Sequence, residues 1–216
     1  MEAFAENVPH RYPDALVLRG QCYENESLPF KALDSMMDDL SRQLRHLGSR
    51  LERFLPPNIA ALARLFPVLE RVDAIAEAVR KSPVRIPNVA ELRRRAFQAF
   101  ASLLTAITAE RLIIIILDDL HRGDSDSAAL FQHLFSERPI PSFALIAAYR
   151  AEETPSEFIK LWRKHVAAAA HNVRIESLSI GALDARAAFE LARSLLARPV
   201  GAGRCHGAGG RCASCD

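Results

Sequence analysis

The chain has 216 residues, of which half are apolar and a quarter are charged, and its formal net charge is +2. This length is enough for one good-sized domain or for a domain and a fragment, and the composition is ordinary for a globular protein with a real core. The small net charge gives no electrostatic reason to expect binding to nucleic acid or to an anionic membrane. No apolar stretch is long enough to span a bilayer and the N-terminus lacks a signal-peptide pattern, so we expect a cytoplasmic location.

The N-terminal part of the chain is predicted to form a helix, a strand and a second helix. Apolar residues in 1–8 recur at helical spacing, and an apolar run after Pro13 predicts a buried strand over 15–19. From Lys31 onward, apolar residues recur at intervals of three, four and seven. This pattern predicts an amphipathic helix that ends near Gly48, a residue suited to a helix C-terminus.

The segment at about 31–108 is predicted to be helical along most of its length. Asn88, with Glu91 three residues later, resembles a capping box and predicts a long helix that ends near Thr108. Three consecutive arginines, Arg93–Arg95, follow the start of this helix. We interpret them as a surface cluster that could also reach a phosphate or a partner.

An unbroken apolar run, Leu112–Leu117, is followed directly by Asp118 and Asp119. The run is short, mostly β-branched and soon followed by Gly123, which favours a central strand covered on both faces. In open α/β sheets, ligands bind outside the carboxyl ends of the strands, where these two acids lie. Two adjacent acids are costly there unless they hold a cation or a reacting water. This layout is that of a Walker B element, in which one acid serves Mg²⁺ and the next polarises water.

A simpler interpretation of Asp118 remains open. Aspartate is favoured at turns and helix starts, so Asp118 could do no more than cap the turn that follows it. Further along, Asp124 or Ser125 can cap the next helix in the same way.

Two more strands and two more helices are predicted after this point. A buried strand is expected over 143–149, with Arg150 at its tip, and a helix over 157–170 with the only tryptophan on its buried side. The alternating residues 173–178 predict a last strand, and Asp184 predicts the cap of a final helix.

The C-terminal residues 198–216 have a different composition. They contain five of the nine glycines and three of the four cysteines, without apolar periodicity, so we expect a disordered tail. Cys212-x-x-Cys215, with Cys205 and His206 nearby, could ligate Zn²⁺. The glycine-rich spacing offers none of the structure that surrounds true zinc modules, so a shifted reading frame or a degraded gene end is the preferred explanation.

Ten residues, Asp118–Ser127, resemble a known family. They read Asp-Asp-Leu-His-Arg-Gly-Asp-Ser-Asp-Ser and are similar to the Asp-Asp-Leu-Gln-Trp-Gly-Asp-x-Asp-Ser stretch of STAND-type P-loop ATPases. These are AAA-like modules of bacterial transcription regulators and of proteins with Ser/Thr kinase domains. Arg122 stands where that family usually has tryptophan. Residues 20–34 are similar to the family's Gly-Arg-Cys-Tyr-Glu and Ser-Val-Pro-Tyr-Lys-Ala-Leu-Asp stretches, and 148–153 to its Thr-Tyr-Arg-x-Asp-Glu.

The resemblance implies an α/β fold with a three-layer, P-loop NTPase-like core, a mostly parallel sheet and an all-helical insert. It also implies ATP and Mg²⁺ as ligands. Asp118 would hold the metal, Asp119 would be the catalytic acid, and Arg150 would take the sensor 1 position and bind the nucleotide's γ-phosphate.

The sequence contains no phosphate-binding loop. Such a loop requires Gly-x-x-x-x-Gly-Lys-[Ser/Thr], and no such stretch is present. Residues 1–180 therefore resemble an N-terminally truncated ATPase core that lacks Walker A and the first strand, with an insert at about 31–108 and the start of a helical lid at 181–197. The family's sheet places the missing strand between 143–149 and 173–178, which would then face a gap. We expect the isolated chain to be inactive and to bind Mg²⁺–ATP weakly or not at all.

The resemblance implies one leading function, and an alternative stays open beside it. The leading one is a truncated regulatory ATPase domain for signal transduction, with only half of a Mg²⁺–ATP site. The alternative is a non-enzymatic interaction module whose helical insert contacts a kinase, a TPR domain or another regulatory domain of a parent protein. The sequence indicates no specific contact with nucleic acid and no membrane partner.

Overall fold

A computed structural model describes residues 1–22, 29–30, 32–81, 88–136, 142–150, 156–169 and 173–197. The chain divides into two compact units, Met1–Arg174 and Ile175–Asp216. The tail predicted over 198–216 lies outside the described residues, and so does part of the loop after β1. Within the described ranges, no helix combines the length and the apolar character needed to cross a membrane.

The first unit contains a sheet of three parallel strands. They are β1 (Leu16–Gln21), β2 (Ile113–Asp118) and β3 (Phe143–Ala147), in the spatial order β1-β2-β3. This mixed α/β architecture is consistent with the core of a P-loop-like domain. β1 extends beyond its predicted end, to Gln21, whereas β3 is shorter than predicted.

The strand predicted at 173–178 is wrong. These residues form no strand, and the described sheet contains only β1, β2 and β3. Alternating apolar residues favour an extended backbone, but a strand exists only where a neighbouring backbone supplies hydrogen-bond partners. Among the described residues, β3 has no strand beside it on the side away from β2.

Eight α-helices occur in the described part of the chain. They are α1 (Glu2–Arg11), α2 (Asp34–Leu47), α3 (Ile59–Leu65), α4 (Asp73–Lys81), α5 (Val89–Thr108), α6 (Ser125–Ser136), α7 (Glu157–Ala169) and α8 (Ala185–Ala197). α2 to α5 all lie between β1 and β2, together with 3₁₀ turns at Gly48–Phe54 and Pro67–Arg71. α8 is the one α-helix described in the second unit.

Asn88 and Asp184 are two of the side chains that the sequence indicates as helix caps. Asn88 Oδ1 accepts a hydrogen bond from the Glu91 N–H at 2.8 Å, before the first turn of α5. In the second unit, Asp184 Oδ1 accepts one from the Ala187 N–H at 2.7 Å, before α8. Each bond satisfies a backbone donor that has no partner inside its helix. Both predicted helix starts are confirmed.

The sheet has an apolar cluster on each face. On one face, α1 packs through Ala5 and Val8 against Val17, Ile114 and Ile116. On the other face, alternate residues of β1 and β2 join a larger cluster that the helices from α2 to α7 share. Successive side chains of a strand point to opposite faces, so β2 contributes to both clusters. β2 is therefore the covered central strand that its apolar sequence predicts.

Gly20 permits a close approach between β1, β2 and the chain before α2. A Cβ atom at this position would lie 2.6 Å from the Ala32 carbonyl oxygen and 2.7 Å from Leu117 Cδ2. The first of these atoms belongs to the backbone and cannot turn away as a side chain can. Only glycine fits here without displacement of the neighbouring chain.

We predict that Gly20→Ala lowers the free energy of unfolding by about 1–3 kcal/mol, the usual cost of overpacking a filled site. Chemical denaturation followed by circular dichroism would measure it. Gly181→Ala is the matched control, since a Cβ there would meet no atom within 4 Å. Equal effects of the two substitutions would contradict the close approach at Gly20.

Glu91 binds two of the three consecutive arginines at the start of α5. Arg94 donates from Nε and Nη2 to the two carboxylate oxygens at 2.8 and 2.7 Å, and Arg95 Nε donates at 2.6 Å. The hydrogen bond from Arg94, followed by that from Arg95, lowers the pKa of Glu91 from 4.5 to about 2. These two arginines thus bind a residue of their own helix at its surface, as the surface interpretation expects.

This pair of contacts predicts a pH dependence. Because the folded pKa of Glu91 lies below its ordinary value, the contacts stabilise the fold above about pH 4.5 and are lost as the pH falls towards 2. A carbon-detected NMR titration of the Glu91 carboxyl group should therefore give a midpoint near 2, and this midpoint should move towards 4.5 in the Arg94→Gln, Arg95→Gln double variant. A wild-type midpoint near 4.5 would contradict the geometry.

Candidate functional site

Polar residues collect at the carboxyl ends of the three strands. Gln21 ends β1 and lies opposite Asp118, which ends β2. Asp119 follows directly, and Arg150 lies shortly after the end of β3. Parallel strands bring their carboxyl ends to one edge of the sheet, which is the edge where ligands bind in open α/β sheets. The predicted site residues Asp118, Asp119 and Arg150 therefore belong to the same edge of the sheet.

Asp118 and Asp119 are half-buried, and each has one oxygen bonded within the protein. Asp118 Oδ1 accepts a hydrogen bond from the Asp119 N–H at 2.9 Å. Asp119 Oδ2 accepts a longer one, of 3.5 Å, from the side-chain Nε2 of Gln21. The other two oxygens, Asp118 Oδ2 and Asp119 Oδ1, receive no hydrogen bond from any residue in the described part of the chain. The capping interpretation of Asp118 thus accounts for only one of its oxygens.

The backbone of Asp119 has an uncommon conformation. Its φ of 55° and ψ of 35° lie in the left-handed region, which side chains other than aspartate and asparagine rarely adopt outside glycine. Asp119 precedes a 3₁₀ turn at Leu120–Arg122 and turns the chain sharply at the end of β2. Asp118 therefore ends the strand and Asp119 begins a turn, so the two residues do not continue the regular alternation of a strand.

The turn is attached to β3 through the backbone of Ala148. The Ala148 N–H donates to the Leu117 carbonyl at 2.9 Å, and the Leu120 N–H donates to the Ala148 carbonyl at 3.0 Å. The two bonds are made by the residue before the acidic pair, Leu117, and by the residue after it, Leu120. The backbone that carries Asp118 and Asp119 is therefore fixed to the sheet on both sides.

Arg150 is exposed, and the described contacts include no hydrogen bond or ion pair between it and Asp118 or Asp119. The structure brings the two acids together with Gln21, but it does not bring Arg150 into contact with them. A shared ligand would be needed for Arg150 to act with the acids.

The residues after the acidic pair hold neighbouring elements together. Asp124 Oδ1 accepts hydrogen bonds from the Ser127 N–H at 2.9 Å, which caps α6, and from the Phe30 N–H at 3.1 Å. Asp126 binds Arg93 of α5 through two hydrogen bonds of 2.8 and 3.1 Å. Gly123 lies against Phe158 of α7, since a Cβ there would be 2.7 Å from its ring. This half of the motif positions four segments of the chain around the acids.

A comparison with known families gives a match over residues 1–146, to the model of the AAA ATPase domain. The match covers more than half of the 216 residues. The chain belongs to the AAA ATPase domain family. No protein of curated function and no solved structure matches the sequence. The matched stretch of this AAA domain includes Asp118 and Asp119, and it ends before Arg150.

Gln21 is the residue of the AAA domain's sheet edge that sequence reasoning missed. The sequence places it only in a stretch after the first predicted strand, where the resembling family has arginine. The signal that could have found it is the parallel register, because the residue that ends one strand lies beside the residue that ends the next. Gln21 and Asp118 are paired in this way.

We predict that the effect of an Asp119 substitution on the free energy of unfolding depends on whether the new residue tolerates the left-handed backbone, and not on its charge. Asp119→Asn and Asp119→Gly should leave the free energy of unfolding nearly unchanged, because asparagine and glycine tolerate the left-handed region. Asp119→Val should lower it by about 1–2 kcal/mol, the cost of that region for an ordinary side chain. Urea denaturation would compare the three variants. An Asp119→Val protein with the same free energy of unfolding as the wild type would contradict the observed turn.

Proposed function

We propose that this AAA domain is part of a regulatory, STAND-type ATPase and that the carboxyl edge of its sheet is the metal-binding half of a Mg²⁺–ATP site. In this proposal Asp118 binds Mg²⁺, Asp119 polarises the attacking water, and Arg150 contacts the phosphates. Family membership supports an ATPase-type domain, and AAA ATPase domains usually bind ATP and Mg²⁺. The assignment of individual roles rests on the motif Asp118–Ser127 and on the contacts of its first two residues.

The single observation that carries the proposal is the state of the four carboxylate oxygens. One oxygen of each acid is bonded within the protein, and one oxygen of each receives no hydrogen bond from a described residue. Mg²⁺ is usually held by one or two carboxylates, several waters and substrate phosphates, at near-octahedral geometry. The described residues form no group of three or more side chains suited to a metal. A cation that keeps most of its waters fits this donor set better than one ligated entirely by protein.

The two acids can divide the chemistry between them. Asp118 ends the central strand and has its Oδ2 available as a ligand, while its Oδ1 is held by the next N–H. Asp119 has its Oδ1 available to accept a proton from a water, as a general base would. When bound, Mg²⁺ would neutralise charge on the phosphates that it contacts.

The residues present fit a cation better than they fit a whole nucleotide. A nucleotide's phosphates require a cradle of backbone N–H groups and a lysine, and the 216 residues contain no Gly-x-x-x-x-Gly-Lys-[Ser/Thr] stretch. We therefore propose that these residues alone hydrolyse no ATP and bind Mg²⁺–ATP weakly or not at all. Calorimetry that found micromolar Mg²⁺–ATP binding by this chain would overturn that part of the proposal.

A second candidate function is a non-enzymatic interaction module for a kinase, a TPR domain or another regulatory domain. The four α-helices between β1 and β2 favour it, since such a partner could contact them. Capture of a regulatory partner without nucleotide, by the wild type and by Asp118→Asn alike, would favour this function over the first.

The metal half of the proposal makes a direct prediction. Mn²⁺, a paramagnetic substitute for Mg²⁺, should broaden the backbone amide resonances around Asp118 and Asp119 first in an NMR titration. Asp118→Asn should weaken Mn²⁺ binding at least about tenfold, since even outer-shell partners of metal ligands contribute that much. The matched control is Asp14→Asn, which changes an exposed aspartate outside this edge and should leave binding unchanged. Broadening that is diffuse, or equal in the two variants, would refute the site.

A further inference from the structure

Gln21 is the one residue whose side chain approaches Asp119 among the described contacts at this edge. Its Nε2 lies 3.5 Å from Asp119 Oδ2, and the two residues lie on neighbouring strand ends although they are 98 positions apart in the chain. The distance is at the long end of a hydrogen bond. Hydrogen bonds of this kind are often long in unliganded sites and shorten when the ligand is present.

Hydrogen bonds of the backbone at Gln21 and Cys22 fix the position from which the Gln21 side chain extends. The Gln21 N–H donates to the Ser35 hydroxyl, in the first turn of α2, at 3.0 Å. The next residue, Cys22, donates its N–H to the Asp118 carbonyl at 3.2 Å. β1 is thereby attached to α2 on one side and to the acidic pair on the other, and the exposed side chain of Gln21 extends from that fixed point.

We propose that Gln21 is a positioning residue that acts through Asp119. Its amide holds Asp119 Oδ2 and so directs Oδ1 towards the position of a cation or its bound water. This inference deepens the proposed function and rests on it, because it assumes that the two acids bind a cation. Gln21 itself touches neither the cation nor a substrate in this role.

The chemistry of a neutral amide suits this role better than the alternatives. An amide N–H donates to a carboxylate without cancelling its charge, so Asp119 keeps its attraction for a cation. A leucine would give Asp119 no donor. A glutamate would repel Asp119 and would itself become a ligand. The amide, the leucine and the glutamate therefore predict three different cation affinities at one position.

The experiment measures Mn²⁺ affinity of the full chain by NMR broadening at Asp118 and Asp119. Gln21→Leu removes the donor and should weaken Mn²⁺ binding about tenfold, the lower end of what outer-shell partners contribute. Gln21→Glu should instead strengthen it. Gln43→Leu on α2 is the matched control for the loss of an amide and should bind Mn²⁺ like the wild type. Thermal melts of all four proteins establish that they are folded. If Gln21 had a purely structural role, Gln21→Leu and Gln21→Glu would not change the Mn²⁺ affinity in opposite directions.

A second measurement tests the contact itself. Asp119→Gly removes the carboxylate without straining the backbone, so it should shift the side-chain NH₂ resonances of Gln21 and leave those of Gln43 in place. Unshifted Gln21 resonances, or Mn²⁺ affinities that are the same in Gln21→Leu, Gln21→Glu and the wild type, would overturn the inference and leave the proposed function standing. A wild-type protein that binds no Mn²⁺ at this edge would instead refute the proposed function.

Discussion

The arrangement of the candidate site depends on two backbone hydrogen bonds made by one residue, Ala148. Its N–H binds the Leu117 carbonyl and its carbonyl binds the Leu120 N–H, so the turn between those residues is attached to the end of β3. Without these bonds the left-handed residue Asp119 would sit in an unsupported loop, and its carboxylate would have no fixed direction. The central strand β2 supplies the rest of the rigidity, because it is buried on both faces.

The ten-residue motif after β2 divides into a part available for chemistry and a part that builds structure. Its first two residues keep oxygens without described donors, whereas Asp124, Asp126 and Gly123 are used to join α5, α6, α7 and the chain at Phe30. Functional sites need such support, since a side chain is only as well placed as the elements that carry it. This division explains how one short stretch can be recognisable as a whole although only part of it would contact a ligand.

Much of the fold could be predicted because it follows from local patterns. The apolar run before Asp118 gave a buried central strand, and Asn88 and Asp184 marked helix starts that hydrogen bonds confirm. Trp162 lies buried on its helix as expected, in contact with Phe131 and Phe158. Each of these features is set by residues close together in the sequence, or by a simple preference for burial.

The parts that failed or were missed depend on contacts between distant residues. The alternation at 173–178 could not reveal whether a neighbouring backbone was available, and none of the described strands pairs with it. Gln21 gained its place at the acids only through the register between β1 and β2. The left-handed turn at Asp119 follows from the bonds to Ala148, which no sequence period indicates. Arg150 was correctly placed near the end of β3, but its predicted role at the phosphates needs a ligand and stays a prediction.

The central claim is that the acidic pair at the end of β2 binds a hydrated divalent cation. Anomalous diffraction from crystals soaked in Mn²⁺ tests it most directly, because the Mn²⁺ signal locates the ion without assumptions about its ligands. We expect a peak about 2.1 Å from Asp118 Oδ2, with waters completing the coordination and one of them near Asp119 Oδ1. A peak at any other place, or none at this edge of the sheet in crystals that hold Mn²⁺ elsewhere, would contradict it.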